Sequence, residues 1–411
     1  MNADSAQGLK GPLDGIKVIE CAHWFQGPAA GQILGDLGAD VIKIEDRQRG
    51  DFSRGILHIG AIQGGVTSDR NFYFECVNRN KRGISLNLHK EKGRAIIYKL
   101  VEGADIFLSN FRLGVAEKLG VGYQTISRYN PQIIYAYGSS WGLAGPLKDE
   151  PAFEALAEAR SGMMYLPGDA DMPPLHYGVG VGDNLGAWML VQGILAALVA
   201  RHRFGIGQKV DCSLFGSMIA WQNLEVFCKL ITGEEFPRRF RTNMGNPLQN
   251  FYKCADGKWL YLVMPQADRY WHEFCKITGL EELENDPKFE NIEARGQNAG
   301  ELISILDQMF ASKTRDEWLG LLKGTDLLYG PIRTFSEVVE DPQALANKYI
   351  TEFSHPVWGE IRVVGLPYDF SKTPWSLRRA APELGEHTEE LLLELGYSWD
   401  DIATLKEEEV I

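Results

Sequence analysis

A chain of 411 residues is long enough for two domains, or for one large α/β unit with an inserted part. Its 45% apolar and 24% charged content is that of a soluble globular protein, and a net charge of −13 argues against a general nucleic-acid or anionic-membrane surface while leaving room for a local basic pocket. The six cysteines (Cys21, Cys76, Cys212, Cys228, Cys254 and Cys275) form no CxxC pair, which predicts reduced core residues in a cytoplasmic protein and no metal site.

Residues 1–12 read as a loose leader, polar and without the apolar stretch of a secretory signal. A strand at 17–21, a small-residue helix opened by Gly27-Pro28 and a strand at 40–45 make a βαβ unit. A loop over 46–70, rich in Gly, Arg and Asp, follows. The alternation then repeats: strand 82–88, helix 90–102, strand 105–109, short helix 114–119, strand 133–138. This order predicts an α/β fold with a mainly parallel sheet and helices on both faces. Ligands on such sheets bind beyond the carboxyl ends of the strands, which directs attention to Trp24-Phe25-Gln26, Asp46-Arg47, Asn110-Phe111-Arg112 and Ser139-Ser140-Trp141. The dinucleotide fingerprint GxGxxG is missing from the first turn, so a nicotinamide or flavin role loses its main support.

Beyond 150 the pattern predicts a helix at 154–164, a turn at 169–174, a strand at 208–214 and one long helix to about 232. A hairpin about Asp256-Gly257 joins 251–254 to 258–264. Helical patterns fill 266–345. The tail returns to strands at 352–355 and 361–365 and ends in a helix at 387–395.

The stretch around Val179-Gly180-Val181-Gly182-Asp183 is glycine-punctuated and extended, and an apolar run over 185–200 follows it. That predicts a buried core helix, shorter than the roughly 20 residues of a membrane span, with Asp183 as its N-cap. Cap N–H groups and the helix dipole would hold the carboxylate ionised at neutral pH, the state a nucleophile needs. Taken alone, the stretch favours a purely structural cap.

Several ordered blocks resemble the class III coenzyme A-transferase family, which also contains the α-methylacyl-CoA racemases. They begin with Pro12-Leu13-Asp14-Gly15-Ile16-Lys17-Val18-Ile19-Glu20, Gly27-Pro28-Ala29-Ala30-Gly31 and Leu37-Gly38-Ala39-Asp40-Val41-Ile42-Lys43-Ile44-Glu45. Asn78-Arg79-Asn80-Lys81-Arg82, Asn110-Phe111-Arg112, Gly182-Asp183, Gly205-Ile206-Gly207-Gln208-Lys209-Val210 and Leu384-Gly385-Glu386-His387-Thr388 complete the series. The resemblance implies a Rossmann-like large domain built from 1–230 and a return segment 346–411, with a smaller α+β domain at 231–345. It also implies an interlocked dimer, of this chain or with a sister subunit.

In chemistry, the resemblance implies an acyl-CoA:carboxylate CoA-transferase that works through an aspartyl-CoA thioester on Asp183. The coenzyme A thioester is a substrate, no cofactor is permanently bound, and the partners are an acyl-CoA and a small carboxylic acid. Carried over position by position, Glu154 joins Asp183 at the catalytic centre. Phe25, Gln26, Arg47, Leu86, His89, Lys90, Asn110, Phe111 and Lys118 fall at coenzyme-contacting positions.

Two departures from the family pattern stand out. The Gly-His-Asp sequence of the racemases is replaced by Pro151-Ala152-Phe153-Glu154, which favours transfer over racemisation. The glycine-rich loop that covers the intermediate in some members is replaced by Asn243-Met244-Gly245-Asn246-Pro247. Trp24, Phe25, Trp141, Met163, Met164 and Tyr165 suggest a bulky, aromatic acid. Some similar enzymes use succinyl-CoA as donor and aryl-substituted succinates or aryl-lactates as acceptors, and benzylsuccinate is the acceptor we expect. A 2-methylacyl-CoA racemase and a non-catalytic CoA-binding subunit of a hetero-oligomer are the alternatives.

Overall fold

The structure, a computed structural model, describes residues 10–56, 58–59, 62–63, 65–67 and 70–411. Most of the expected leader, 1–9, lies outside the described residues. Two compact units are present: one from the residues up to 164 with 176–233 and 348–411, the other from 165–175 with 234–347.

The first unit is built on six parallel strands: β1 (Lys17–Cys21), β2 (Asp40–Glu45), β3 (Lys81–Ser85), β4 (Ile106–Ser109), β5 (Ile134–Ser139) and β6 (Gln208–Ser213). Their order, β6-β5-β4-β1-β2-β3, is that of a doubly wound sheet. Successive side chains on a strand point to opposite faces, and the sequence uses that alternation for two cores. Val18, Val41, Ile106 and Ile134 pack on one side with helix α1 (Gln26–Asp36) and helix α7 (Val181–Phe204). Ile19, Ile42, Phe107 and Tyr135 pack on the other with α3 (Glu91–Glu102). Each fully buried aliphatic side chain of this kind is worth about 1.5–3 kcal/mol.

Before α7 the first unit also has α2 (Phe72–Asn78), α4 (Val115–Lys118), α5 (Tyr123–Tyr129) and α6 (Glu154–Ser161). The expected helix to 164 stops early because Gly162 takes a left-handed φ of 88° and closes it. The expected single helix to 232 is two, α8 (Leu214–Trp221) and α9 (Asn223–Thr232), broken at Gln222. The Gln222 amide bonds the carbonyls of Met218 and Ser161 instead of pointing to solvent.

Helix α7 is longer than expected, 24 residues, and only one side of it is buried. Ala187, Leu190, Val191 and Ile194 lie in the sheet core, while Gln192 and Val199 face outward. It is the one helix among the described residues long and apolar enough to cross a membrane by length and composition.

In the second unit, β7 (Phe251–Lys253) and β8 (Trp259–Leu262) form the expected hairpin, with Gly257 at φ 77° in the turn. A third strand, β9 (Tyr329–Ile332), pairs with β8 inside a region expected to be wholly helical. It carries Pro331, tolerable because β9 is an edge strand. Helices α10 (Ala267–Thr278), α11 (Ile292–Gln297), α12 (Ala299–Phe310) and α13 (Arg315–Leu322) close over Tyr252, Leu260, Phe274, Leu306 and Trp318. Two short helices, α14 (Phe335–Val338) and α15 (Pro342–Ala346), complete this unit.

The chain returns through the hairpin β10 (Ile350–His355) and β11 (Gly359–Val364) to α16 (Thr388–Glu394) and α17 (Trp399–Glu407). Sequence reading passed over α17, although Ser398 and Asp401 form a capping box at its start. Leu391, Leu392, Ile402 and Leu405 complete the core on the α3 side of the sheet.

Candidate active site

In a sheet of this order the crevice opens where the crossovers diverge, at the carboxyl ends of β1 and β4. A cavity of about 890 Å³ lies there, wholly within the first unit. Residues 23–26 after β1, 110–113 after β4 and 137–143 at the end of β5 form its walls, with Phe52, Tyr73, Phe153, Glu154, His176 and Asp183. A second cavity of about 450 Å³ adjoins it and shares His23, Phe52, Phe111 and Val115. Arg47, Arg49, Leu86 and His89 line this smaller space.

Asp183 is not the helix cap. Gly180, left-handed at φ 85°, holds that position, and Asp183 is the third residue of α7, with no cap bond from its side chain. Glu154, first residue of α6, takes the free N–H groups instead. Its Oε2 accepts from Gly180 N at 2.8 Å, and its Oε1 from Gly182 N at 2.5 Å and Asp183 N at 3.3 Å. Gly182 is tightly enclosed: a Cβ there would sit 3.1 Å from Glu154 Cγ and would push the end of the Met218 side chain aside.

This arrangement corrects the expected charge state. Burial pushes the Asp183 carboxyl up to about 7, and the neighbouring carboxylates of Glu154 and Glu158 add to the rise. The helix N–H groups that would have held it ionised are committed to Glu154. Glu158, one turn along α6, is fully buried; burial raises its pKa, against the pull of His176, whose Nε2 lies 3.1 Å from Glu158 Oε2.

The other expected residues divide by position. Phe25 lies against Gly180, where a Cβ would sit 3.4 Å from its ring, and stands edge-on to Tyr73 at 5.5 Å. Gln26, 4% exposed, fills the space left by Gly138 and Gly186 and donates from Nε2 to the Cys212 carbonyl at 3.3 Å. Asn110 is spent on the backbone of His23: its Oδ1 accepts from His23 N at 2.9 Å, and its Nδ2 donates to His23 O at 2.7 Å. Phe111 stands between the two cavities.

In the smaller cavity Leu86 is buried and His89 is exposed. Arg47 donates to the Ile411 carbonyl at 3.2 Å and lies 3.6 Å from Glu409. Lys90, bonded to the Glu408 carbonyl, and Lys118, at the end of α4, line neither cavity.

Trp24 and Trp141 join Phe25 in the cavity wall, but Met163 packs in a small core with Ala157, Leu214 and Met218, and Tyr165 is an exposed residue of the second unit. Three groups were missed from sequence: Tyr73, His23 and His176. The Tyr73 phenol is raised first by burial and next by the charge of Asp183. Asn71 caps α2 and was readable as a cap, but nothing local says that α2 aims Tyr73 at a residue 110 positions away. No group of three or more His, Cys, Asp or Glu among the described residues could hold a metal ion.

The CoA-transferase family III model matches residues 13–388. The chain is 33% identical to the (R)-2-hydroxy-4-methylpentanoate CoA-transferase of Clostridioides difficile, over 97% of this chain and 99% of that one. It is 34% identical to the succinyl-CoA:glutarate CoA-transferase of Mus musculus, over 93% and 86%. Among solved structures, a CaiB/BaiF family protein from Brucella suis superposes with a TM-score of 0.85 at 30% identity, over 94% of this chain and all of that one. The chain belongs to the CoA-transferase family III and is an enzyme of that class.

Proposed function

We propose that the protein moves coenzyme A between two carboxylic acids through a thioester on Asp183. One observation carries this reading: Asp183 lines the β1/β4 crevice with its carboxyl drawn up to about 7, so at neutral pH a large fraction is an anion beside the space where a thioester would lie. The anion attacks the donor thioester carbon, giving an aspartyl–acyl anhydride and coenzyme A thiolate. The thiolate attacks the aspartyl carbonyl, leaving the aspartyl-CoA thioester and releasing the donor acid as carboxylate. The acceptor carboxylate then reverses both steps and regenerates the Asp183 anion. Each bond broken is replaced by one of similar energy, so the sequence needs no metal and no net proton. The main-chain N–H groups of Phe25 and Gln26, at the start of α1, are the donors we assign to the tetrahedral oxyanions.

The reacting end of the coenzyme lies in the larger cavity and its phosphates in the smaller one, beside Arg47, Arg49 and His89. The donor is succinyl-CoA, as named for the mouse relative. Trp24, Phe25, Tyr73, Trp141 and Phe153 favour an acceptor with an aromatic or branched arm, and benzylsuccinate is the first acid to try. The dimer has its own support: α9 has no buried residue and exposes Leu224, Phe227, Leu230 and Ile231.

Incubation with succinyl-CoA, trapping with hydroxylamine and peptide mass spectrometry test the mechanism. A hydroxamate on Asp183 is expected. A fully active Asp183→Ala, or trapping at another carboxylate, refutes it.

A further inference from the structure

Trp24 has a left-handed backbone, φ 68°, at the junction of β1 and α1. A bulky L-residue resists that conformation and keeps it only where its surroundings over-determine it. Here the surroundings are buried charges. Lys43 Nζ, on β2, donates to the Ala22 carbonyl at 3.0 Å and joins Glu20 Oε1 (3.0 Å) to Asp51 Oδ2 (2.8 Å). Asp51 Oδ1 accepts the Trp24 N–H at 3.1 Å and is steadied by the Ser53 hydroxyl at 2.8 Å. Asn110 holds His23 between these two anchors.

Glu20, Lys43 and Asp51 are all fully buried. Buried ion pairs are a poor way to stabilise a fold, since well-packed apolar residues commonly do as well or better. What they provide is direction: three consecutive backbone units are gripped from three different elements. The next two residues, Phe25 and Gln26, are those that lie against Gly180 and Gly186 of the Asp183 segment. Neither Lys43 nor Asp51 lines either of the two cavities described above, so their effect on the chemistry passes through the turn.

We propose that Asp51 and Lys43 are positioning residues of the transfer site, fixing the backbone of residues 22–24 so that Phe25, Gln26 and their N–H groups meet the reacting thioester. This rests on the reading of the larger cavity as the transfer site.

Asp51→Asn keeps the side-chain volume and one acceptor oxygen but removes the charge that anchors Lys43. We expect kcat to fall about ten- to a hundredfold, as for a reacting group displaced by about an ångström, with KM for the acyl-CoA within about threefold. Circular dichroism and thermal melting report the folded fraction. A merely structural role would lower the melting temperature and leave kcat per folded site at the wild-type value, which would overturn the proposal.

A double-mutant cycle with Trp24→Gly adds a second criterion. Glycine takes the left-handed backbone without strain, so the loss from Asp51→Asn should shrink to below about threefold in that background. Equal losses in both backgrounds would also overturn the proposal. If Asp51→Asn does not fold, Ser53→Ala decides: a kcat about three- to tenfold lower is expected, and a wild-type kcat refutes it. Asp183→Ala, assayed in parallel, separates the two readings. Activity in Asp183→Ala sinks the site assignment; an inactive Asp183→Ala beside an Asp51→Asn enzyme of wild-type kcat sinks the positioning alone.

Discussion

Replacing Asp183 by asparagine should abolish transfer and at the same time make the fold more stable. A carboxyl that titrates at about 7 in the folded chain and at 3.8 when unfolded binds its proton more tightly in the native state. Between those values the folded protein holds a proton that the unfolded chain has lost. Stability from this group is therefore present at low pH and is lost as pH rises through the window. The full shift of about three units corresponds to a ceiling of about 4 kcal/mol at pH 8. Asp183 faces an open cavity and is only partly buried, so solvent screening reduces this, and we expect about 1–2 kcal/mol. Urea unfolding of the wild type and Asp183→Asn at pH 8 and pH 5 measures it. The variant should be the more stable at pH 8 and by a smaller margin at pH 5, where folded wild-type Asp183 keeps part of its proton. An Asp183→Asn variant no more stable than wild type at pH 8 would refute the electrostatic account of the site.

The same titration predicts a kinetic profile: kcat/KM for the acyl-CoA should rise with pH through about 7 and level off above it, because the free enzyme reacts as the Asp183 anion. Glu154→Gln removes one of the two carboxylates that raise Asp183 and should move that midpoint to lower pH. It should also loosen the start of α7 by about 1 kcal/mol, seen in thermal melts, since the amide can satisfy fewer of the N–H groups of residues 180–183. Arg47→Ala should raise KM for the acyl-CoA about tenfold and leave kcat unchanged, because it removes a phosphate partner remote from the chemistry; steady-state kinetics decide. Leu224→Asp with Leu230→Asp should convert a dimer to monomer in light scattering, and an unchanged mass would remove α9 from the interface.

The parallel sheet was readable because its strands are short apolar runs bounded by turns, and 17–21 and 40–45 coincide with β1 and β2. The position of Asp183 in the crevice was readable from the ordered blocks. Its environment was not. The cap on α7 comes from Glu154, twenty-nine residues before Asp183 in the chain, and a glutamate reaching back from another helix leaves no local pattern. The same physics hid Asn110, whose amide is consumed by the His23 backbone rather than left for a ligand. Strand β9 was missed because four residues containing Gly330 and Pro331 carry no period-two signal, and only the partner strand β8 makes them extended. Met163 was assigned to the site on residue type alone, and the short α6 turns it into a core with Met218 instead.

Strand β3 lies at the edge of the main sheet, and its free groups are met by residues made some three hundred positions later. Gly83 exchanges bonds with His387, Ser85 N–H bonds the Thr388 hydroxyl, and Arg82 pairs with Glu390 and Glu394. The wall of the smaller cavity is likewise closed by residues far along the chain, Val410 on Asn87 and Glu409 beside Arg47. A ribosome adding roughly 5–20 residues per second leaves that edge uncovered for tens of seconds. The nascent chain therefore carries an unpaired strand edge, the template for wrong pairings, until residues 387–394 have been made. Codon choice and chaperone supply across the second unit should weigh more heavily on the yield of this enzyme than either does at its amino terminus.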